Sequence, residues 1–295
     1  MASEKPLPVF LELDPPLADY DRAAAVVLPL PFESSTTYLR GTARGPRALL
    51  EASAQVEWFD EELGCETCQA GIATLPPPLL EGLNFPAAAP LIEEAAAPVF
   101  ADGKLLVALG GEHSITIPLV KAAARAFGRL AVVQLDAHAD LRDSYEGNPF
   151  SHASVMRRVS ETCPAVQIGI RSLSVEESDL IAASSRPVFF AHQMRREPNW
   201  AEQAIALLPR DIYLTIDLDF FDPSVIPGVG TPEPGGFGWA ETLAFLRRLA
   251  ARRRVVGFDL VELCPIPGQV VSEFTAARLA YRLIGYALRS RERKD

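Results

Sequence analysis

Residues 130–140 read Leu-Ala-Val-Val-Gln-Leu-Asp-Ala-His-Ala-Asp, an apolar run that closes on Asp136, His138 and Asp140. Residues two apart on an extended chain project from the same side, so three side chains able to hold a metal point one way. A helix would scatter positions i, i+2 and i+4 around its circumference. The spacing therefore makes a ligand cluster only if the backbone stays extended past the strand end. The same device closes residues 213–219 (Tyr-Leu-Thr-Ile-Asp-Leu-Asp) with Asp217 and Asp219, and a third apolar run, 104–109, leads through Gly110, Gly111 and Glu112 to His113. His113, Asp136, His138, Asp140, Asp217 and Asp219 together offer enough oxygen and nitrogen donors for two divalent cations.

The donor set is hard oxygen plus imidazole with no thiolate, which favours Mn²⁺ over a thiolate zinc site, while affinity order leaves Ni²⁺, Co²⁺ and Zn²⁺ open. Without cations, mutual repulsion among the four aspartates would raise their pKa values and loosen the site. Two cations about 3.5–4 Å apart can share one water and lower its pKa toward ~7, which provides hydroxide as a nucleophile at neutral pH.

Strands and helices must bring these distant residues together, and the hydrophobic pattern supplies them. Continuous apolar strands are expected at 24–30, 104–109, 130–136, 165–170, 187–191, 212–217 and 255–261. Between them lie helices expected at 87–100, 117–127, 152–160, 175–183, 200–208, 239–252 and 274–289, with a further helix start at Gly45-Pro46. Alternation of this kind indicates a three-layer α/β/α fold with a mostly parallel sheet covered on both faces. Ligands bind at the carboxyl ends of the strands of such sheets, where His113, Asp136 and Asp217 all fall; Glu262, just after the last strand, joins the same rim. Length alone permits one α/β domain or two smaller ones. No linker or repeat interrupts the pattern, so the reading is a proline-rich N-terminal arm over 1–20, lying on the surface or on a neighbouring subunit, and one catalytic domain over 21–295.

Composition narrows the function. A formal net charge of −10 disfavours a nucleic-acid partner, which needs a basic face, and suits a small cationic substrate as well as plain solubility. No apolar stretch approaches the ~20 residues that span a bilayer, and the N-terminus lacks a basic segment followed by an apolar one, so no membrane partner and a cytoplasmic location are expected. Cys65 and Cys68 form a C-x-x-C with no second pair or nearby histidine to complete a zinc site, and read as surface thiols or a local disulfide.

Gly-Gly-Glu-His-Ser at 110–114, Asp-Ala-His-Ala-Asp at 136–140 and Asp-Leu-Asp-Phe-Phe-Asp-Pro at 217–223 resemble the three motifs of the ureohydrolases, the arginase and agmatinase family. The resemblance extends from residues 31–37 to 275–280 and so covers nearly the whole chain. It implies the arginase-like fold, a pair of Mn²⁺ ions per subunit, a small guanidino substrate and a homotrimer or homohexamer. By the same resemblance Asp140 is both ligand and partner of the bridging hydroxide, and passes its proton to the leaving nitrogen. Glu262 looks like the carboxylate that binds the guanidinium, and His152 like the histidine that shuttles protons.

Within the family, arginases carry an aspartate where this strand ends Ile170-Arg171-Ser172, and Ser172 offers no partner for an α-amino group. Residues 228–236 and 58–64 resemble agmatinase instead, so hydrolysis of agmatine to urea and putrescine is the expected activity. N1-aminopropylagmatine, 4-guanidinobutyrate and arginine are the alternative guanidino substrates, and the last two bring a carboxylate that no clear basic residue meets. A metal-binding protein without turnover is the rival from another class; joint presence of Glu262 and His152 weighs against it, because neither is needed merely to hold metal. His192 matches no motif and is expected to be structural or exposed. Asp222 is expected to shape a turn.

Overall fold

The computed structural model describes residues 6–292. The apolar runs form strands β1 (Ala25–Leu30), β5 (Leu105–Gly110), β6 (Leu130–Leu135), β7 (Ala165–Ile170), β8 (Val188–Phe190), β9 (Asp211–Asp217) and β10 (Arg254–Val261). Three short strands carry no sequence signal of their own: β4 (Ile72–Thr74) at the sheet edge, and β2 (Phe59–Asp60) with β3 (Cys65–Glu66), a separate antiparallel hairpin. The main sheet runs β4-β1-β5-β10-β9-β6-β7-β8. Every neighbouring pair in it is parallel.

Helices cover both faces, which is why the central strands are apolar on both sides. On one face α1 (Gly45–Ser53), α7 (Trp200–Ala206), α8 (Trp239–Arg252) and α9 (Val271–Glu292) share a core with alternate residues of the strands, among them Val27, Val107, Leu214 and Phe258. On the other, α2 (Phe85–Ala101), α3 (Thr116–Phe127) and α4 (Val155–Val159) pack against Val26, Leu106, Val132 and Val256. Two further helices, α5 (Val175–Ala183) and α6 (Ala191–Met194), flank β8. The helix at 152–160 is shorter than its pattern suggests, because a 3₁₀ turn, His152–Ser154, precedes α4. Pro46 lies in the first turn of α1, as expected; Asn84 caps α2, which starts two residues before the expected 87, and Ser174 and Glu177 form a reciprocal capping box on α5.

Two expectations are corrected. Of the expected arm, residues 1–5 lie outside the described residues, but Phe10, Leu11 and Leu13 are buried in the chain's own core. They are tied there by hydrogen bonds from Phe10 N to Thr74 Oγ1 (3.0 Å) and Leu11 N to Ser53 Oγ (2.8 Å). Proline content hid a segment whose apolar side chains fill the gap beside α1. Cys65 is exposed, but Cys68 is buried and its N–H donates to the Tyr281 hydroxyl (3.2 Å), so the two are not a surface pair. Among the described residues no helix is long and apolar enough to cross a membrane.

The turn leaving β5 shows how tightly the rim is built. Gly111 N donates to Leu30 O (2.9 Å) and Glu112 N to Phe32 O (2.8 Å), so the chain after β1 is drawn against the chain after β5. A Cβ on Gly111 would lie 2.1 Å from the Phe32 carbonyl oxygen, which is backbone and cannot swing away. Gly111→Ala should therefore push these segments apart and lower stability by about 1–3 kcal/mol, as overpacking does. A urea melt checks this, and an unchanged midpoint would show that the two segments are not held in contact.

Candidate metal centre

The strands that carry the expected ligands are the four central neighbours, β5-β10-β9-β6. Their carboxyl ends place His113, Glu262, Asp217 with Asp219, and residues 136–140 around one cleft of about 230 Å³. Asp136 lies beneath its floor, fully buried. The structure thus brings together all six expected ligands, with Glu262 and His152 on the same walls.

Their geometry divides them into two groups that share one member. His113 Nδ1 lies 3.3 Å from Asp136 Oδ2, 3.1 Å from Asp140 Oδ2 and 3.4 Å from Asp217 Oδ2. His138 Nδ1 lies 2.9 Å from Asp219 Oδ2 and 3.8 Å from Asp136 Oδ1. The ligating atoms of His113, Asp136 and Asp140 all fall within 4.8 Å of one another, as do those of Asp136, His138 and Asp219. The two oxygens of Asp136 therefore face different histidines.

The hydrogen bonds behind His113 determine which of its nitrogens is left to face a cation. Thr215 Oγ1 donates its proton to Asp259 Oδ1 (2.6 Å), so toward His113 Nε2, 2.8 Å away, it can only accept. Nε2 therefore carries one proton, and Nδ1 is the nitrogen whose lone pair a cation would take. Burial opposes charge on this imidazole, but Asp136, Asp140 and Asp217 overcome it and hold its pKa well above the usual value, so a cation would displace the Nδ1 proton. That nitrogen is buried and makes no hydrogen bond, though three carboxylate oxygens surround it. A lone pair and three carboxylates converging in a buried space fit a divalent cation at their centre. Asp259 is itself held by Tyr213 Oη (2.9 Å) and Thr116 Oγ1 (3.0 Å). Sequence reasoning passed over Thr215 and Asp259; the available signal was that Thr215 stands two residues before Asp217 on one strand and so shares its face.

Electrostatics agrees with that fit. Burial, then the charges of Asp219 and Asp140, push the Asp136 carboxyl up to about 7. Burial, with Asp219 and Asp136 beside it, holds Asp217 well above the usual carboxylate range, and burial with Glu112 nearby does the same to Glu262. Burial opposes charge on His138, yet Asp219 and its neighbours overcome it and raise that imidazole to about 11. Cations bound among these groups would relieve the repulsion.

Asp140 and Glu262 share an uncommon backbone. Their φ values are 52° and 65°, in the left-handed region that residues with a Cβ rarely adopt. Asp140 is held there because its carbonyl accepts from Met156 N (2.9 Å) and Arg157 N (3.1 Å) at the start of α4. Glu262 N donates to Gly111 O (2.8 Å), and its Oε1 accepts from His113 N (2.6 Å). His152 is placed by Ser35: its N–H donates to Ser35 Oγ (3.0 Å), Nδ1 lies 3.4 Å from the same oxygen, and its ring meets Tyr145 edge to face. Glu112 shapes this wall, accepting from Ser34 N and Ser35 N at 2.6 Å each. His192 is exposed and stacks on Phe190 outside the cleft. Asp222 accepts from Ser224, Gly235 and Gly236 N–H groups and shapes a turn, as expected.

The arginase-family sequence profile matches residues 23–285. An N(1)-aminopropylagmatine ureohydrolase of Synechocystis sp. is 48% identical, with 97% of this chain and 95% of the relative aligned. An agmatinase of Pyrococcus horikoshii is 33% identical over 94% of this chain and 97% of its own. Among solved structures, the agmatine ureohydrolase of Thermoplasma volcanium superposes with a TM-score of 0.84 at 30% identity, covering 92% of each chain. The chain belongs to the arginase family of hydrolases, with the fold its motifs implied.

Because Asp136 and His138 must both lose protons to act as ligands, metal uptake by the metal-free protein should release more than one proton at pH 7. His138, raised to about 11, competes for its proton below that pH and Asp136 below about 7, so affinity should fall as pH drops from about 11 and more steeply below about 7. Calorimetric titration with Mn²⁺ in buffers of different ionisation heat checks this. Uptake without proton release would remove these groups from the ligand set.

Proposed function

We propose that this chain hydrolyses the guanidinium group of a cationic polyamine-type substrate, N1-aminopropylagmatine ahead of agmatine, to urea and an amine. Acidity of the cleft is the observation that carries the reading. Asp140, Asp217, Asp219, Glu177 and Glu262 line it, and Arg142 is the one arginine or lysine among its lining residues. Arg142 is already engaged, 3.8 Å from Glu177 and over the Tyr145 ring at 5.1 Å. The features that pointed to agmatine, Ser172 above all, separate the chain from arginase but not from an enzyme for a longer cationic tail. Identity of 48% to a protein named for aminopropylagmatine, against 33% to one named for agmatine, supports the longer substrate.

In this reading His113, Asp136, Asp140 and Asp217 would hold one divalent cation, and Asp136, His138 and Asp219 a second, with Mn²⁺ as the metal. Bound there, the cations supply water acidic enough to attack carbon at neutral pH. Glu262 pairs with the guanidinium: its Oε1 is held by His113 N, which orients the carboxylate against the cleft wall beside Gly230 and fixes the carbon for attack. Asp140 takes one proton of the attacking water and hands it to the departing nitrogen; the second leaves the hydroxyl as the urea carbonyl forms and passes to the amine, so urea and an alkylammonium separate with the substrate's charge conserved. His152, held by Ser35 and Tyr145 at the cleft wall, exchanges protons with solvent.

Arginine would bring its carboxylate among these carboxylates. An unpaired buried charge costs several kcal/mol and every ~1.4 kcal/mol is tenfold, so arginine should fall at least ~10²-fold below the two polyamine substrates in kcat/KM. Urea release over a panel of guanidino compounds decides it: N1-aminopropylagmatine should lead, and comparable kcat/KM for arginine would refute the proposal. Two substitutions separate metal from substrate roles. Asp219→Asn should lower metal content and turnover together, since an amide carries no charge to offset the cation. Glu262→Gln should lower turnover while metal content holds; a parallel fall in metal would place Glu262 in the metal shell instead.

A further inference from the structure

Gln134 on β6 and Gln167 on β7 face each other in register across the parallel pair. They are 0% and 3% exposed in strands whose other residues are almost all apolar. Burying an amide is unfavourable unless it is fully hydrogen-bonded, and an apolar pair would serve the sheet equally well, so this pair calls for a reason. Gln167 Nε2 donates to Ala139 O (2.7 Å) and to Gln134 Oε1 (2.6 Å). Gln134 Nε2 donates to Asp136 Oδ2 (2.7 Å) and reaches His138 O at 3.5 Å.

The direction of this chain is fixed by logic rather than by assignment of amide atoms. A backbone carbonyl only accepts, so the Gln167 atom facing Ala139 O must be the NH₂. That NH₂ must meet the carbonyl oxygen of Gln134, which turns the Gln134 NH₂ toward Asp136. Asp136 Oδ1 meanwhile accepts from His138 N (2.6 Å). One donor on each oxygen sets both tilt and twist of the carboxylate plane. The far end of the chain, at Ala139 O, ties the backbone beyond β6 to β7 past a bend at Ala137, so Asp136, His138 and Asp140 still converge although Asp140 is left-handed rather than extended.

We propose that Gln134 and Gln167 are positioning residues whose amide ladder orients Asp136 so that its two oxygens serve two different cations. This rests on the two-cation reading above, and the two can fail separately. The metal-free protein and its Gln134→Met and Gln167→Met variants are titrated with Mn²⁺ by calorimetry, and the loaded forms are examined by electron paramagnetic resonance for the spin coupling of a carboxylate-bridged pair. Wild type should take up two ions and show coupling. Gln134→Met should weaken at least one binding step 10–100-fold and reduce the coupled signal, in line with the loss of a residue that orients a ligand. Gln167→Met, which touches no proposed ligand, should shift both readouts the same way by a smaller factor, and the double variant should be no worse than Gln134→Met alone. If Gln134→Met does not fold, Gln167→Met decides. Unchanged binding steps and unchanged coupling in the folded variants, with only the thermal midpoint of the metal-free protein lowered, would reduce the ladder to a packing role and overturn the proposal. Failure of wild type to take up a second Mn²⁺ would overturn the two-cation reading instead.

Discussion

Like charges buried together are the constraint on which this structure depends. Asp136, Asp140, Asp217, Asp219, Glu262 and Glu112 are all buried at the carboxyl ends of neighbouring strands, where mutual repulsion and lost hydration both oppose ionisation. The fold meets this with backbone N–H groups aimed one by one. His138 N serves Asp136, Asp219 N serves Asp217 (2.9 Å), Ala137 N serves Asp219 (3.1 Å), His113 N serves Glu262, and the loop after β1 serves Glu112. These bonds set where each carboxylate points without removing the net charge. Cations remain the physical answer to that charge, which is why the donor set, the Nδ1 of His113 set among three carboxylates and the raised Asp136 all point the same way.

Holding such a rim requires the surrounding loops to be over-determined. Strained backbone at Asp140 and Glu262 persists because neighbours bond to it from fixed elements, α4 in one case and β5 in the other. Arg171 does the equivalent work for the wall formed by residues 219–234. Its guanidinium donates to the carbonyls of Asp219 (2.6 Å), Glu233 (2.9 Å), Pro234 (3.2 Å) and Gly169 (3.3 Å). A planar five-donor group can gather several carbonyls at once, which an ammonium on a flexible stem would do less well. Away from the cleft, Arg282 of α9 gathers Asp60, Glu61 and Glu62 and anchors the β2–β3 hairpin.

Much of this was legible in one dimension. Strand and helix periods, the Pro46 start signal and the chelating spacing of 136–140 are local properties, written in residues a few positions apart, and they specified the layered fold, the six candidate ligands and the family. Longer-range facts were not. Chain order β5, β6, β9, β10 becomes spatial order β5-β10-β9-β6 because the connection through α3 spans two strand positions that are filled only later in the chain, and no local period encodes which gap a later strand will enter. That choice brings His113 against Asp217 and Glu262 against His113. It also sets Asp259 beside Thr215, the partner of His113. Gln134 and Gln167 meet without it, across strands consecutive in both chain and sheet, but all four are polar residues whose meaning in a strand depends on what stands across from them. Burial of Phe10 and Cys68 belongs to the same class, since an apolar side chain in an irregular segment is read from its partners and those partners are supplied by tertiary contact. Local pattern specified the main elements and the chemistry each could carry; which of those chemistries meet was settled only in three dimensions, because adjacency in a parallel sheet is set by crossovers between distant parts of the chain.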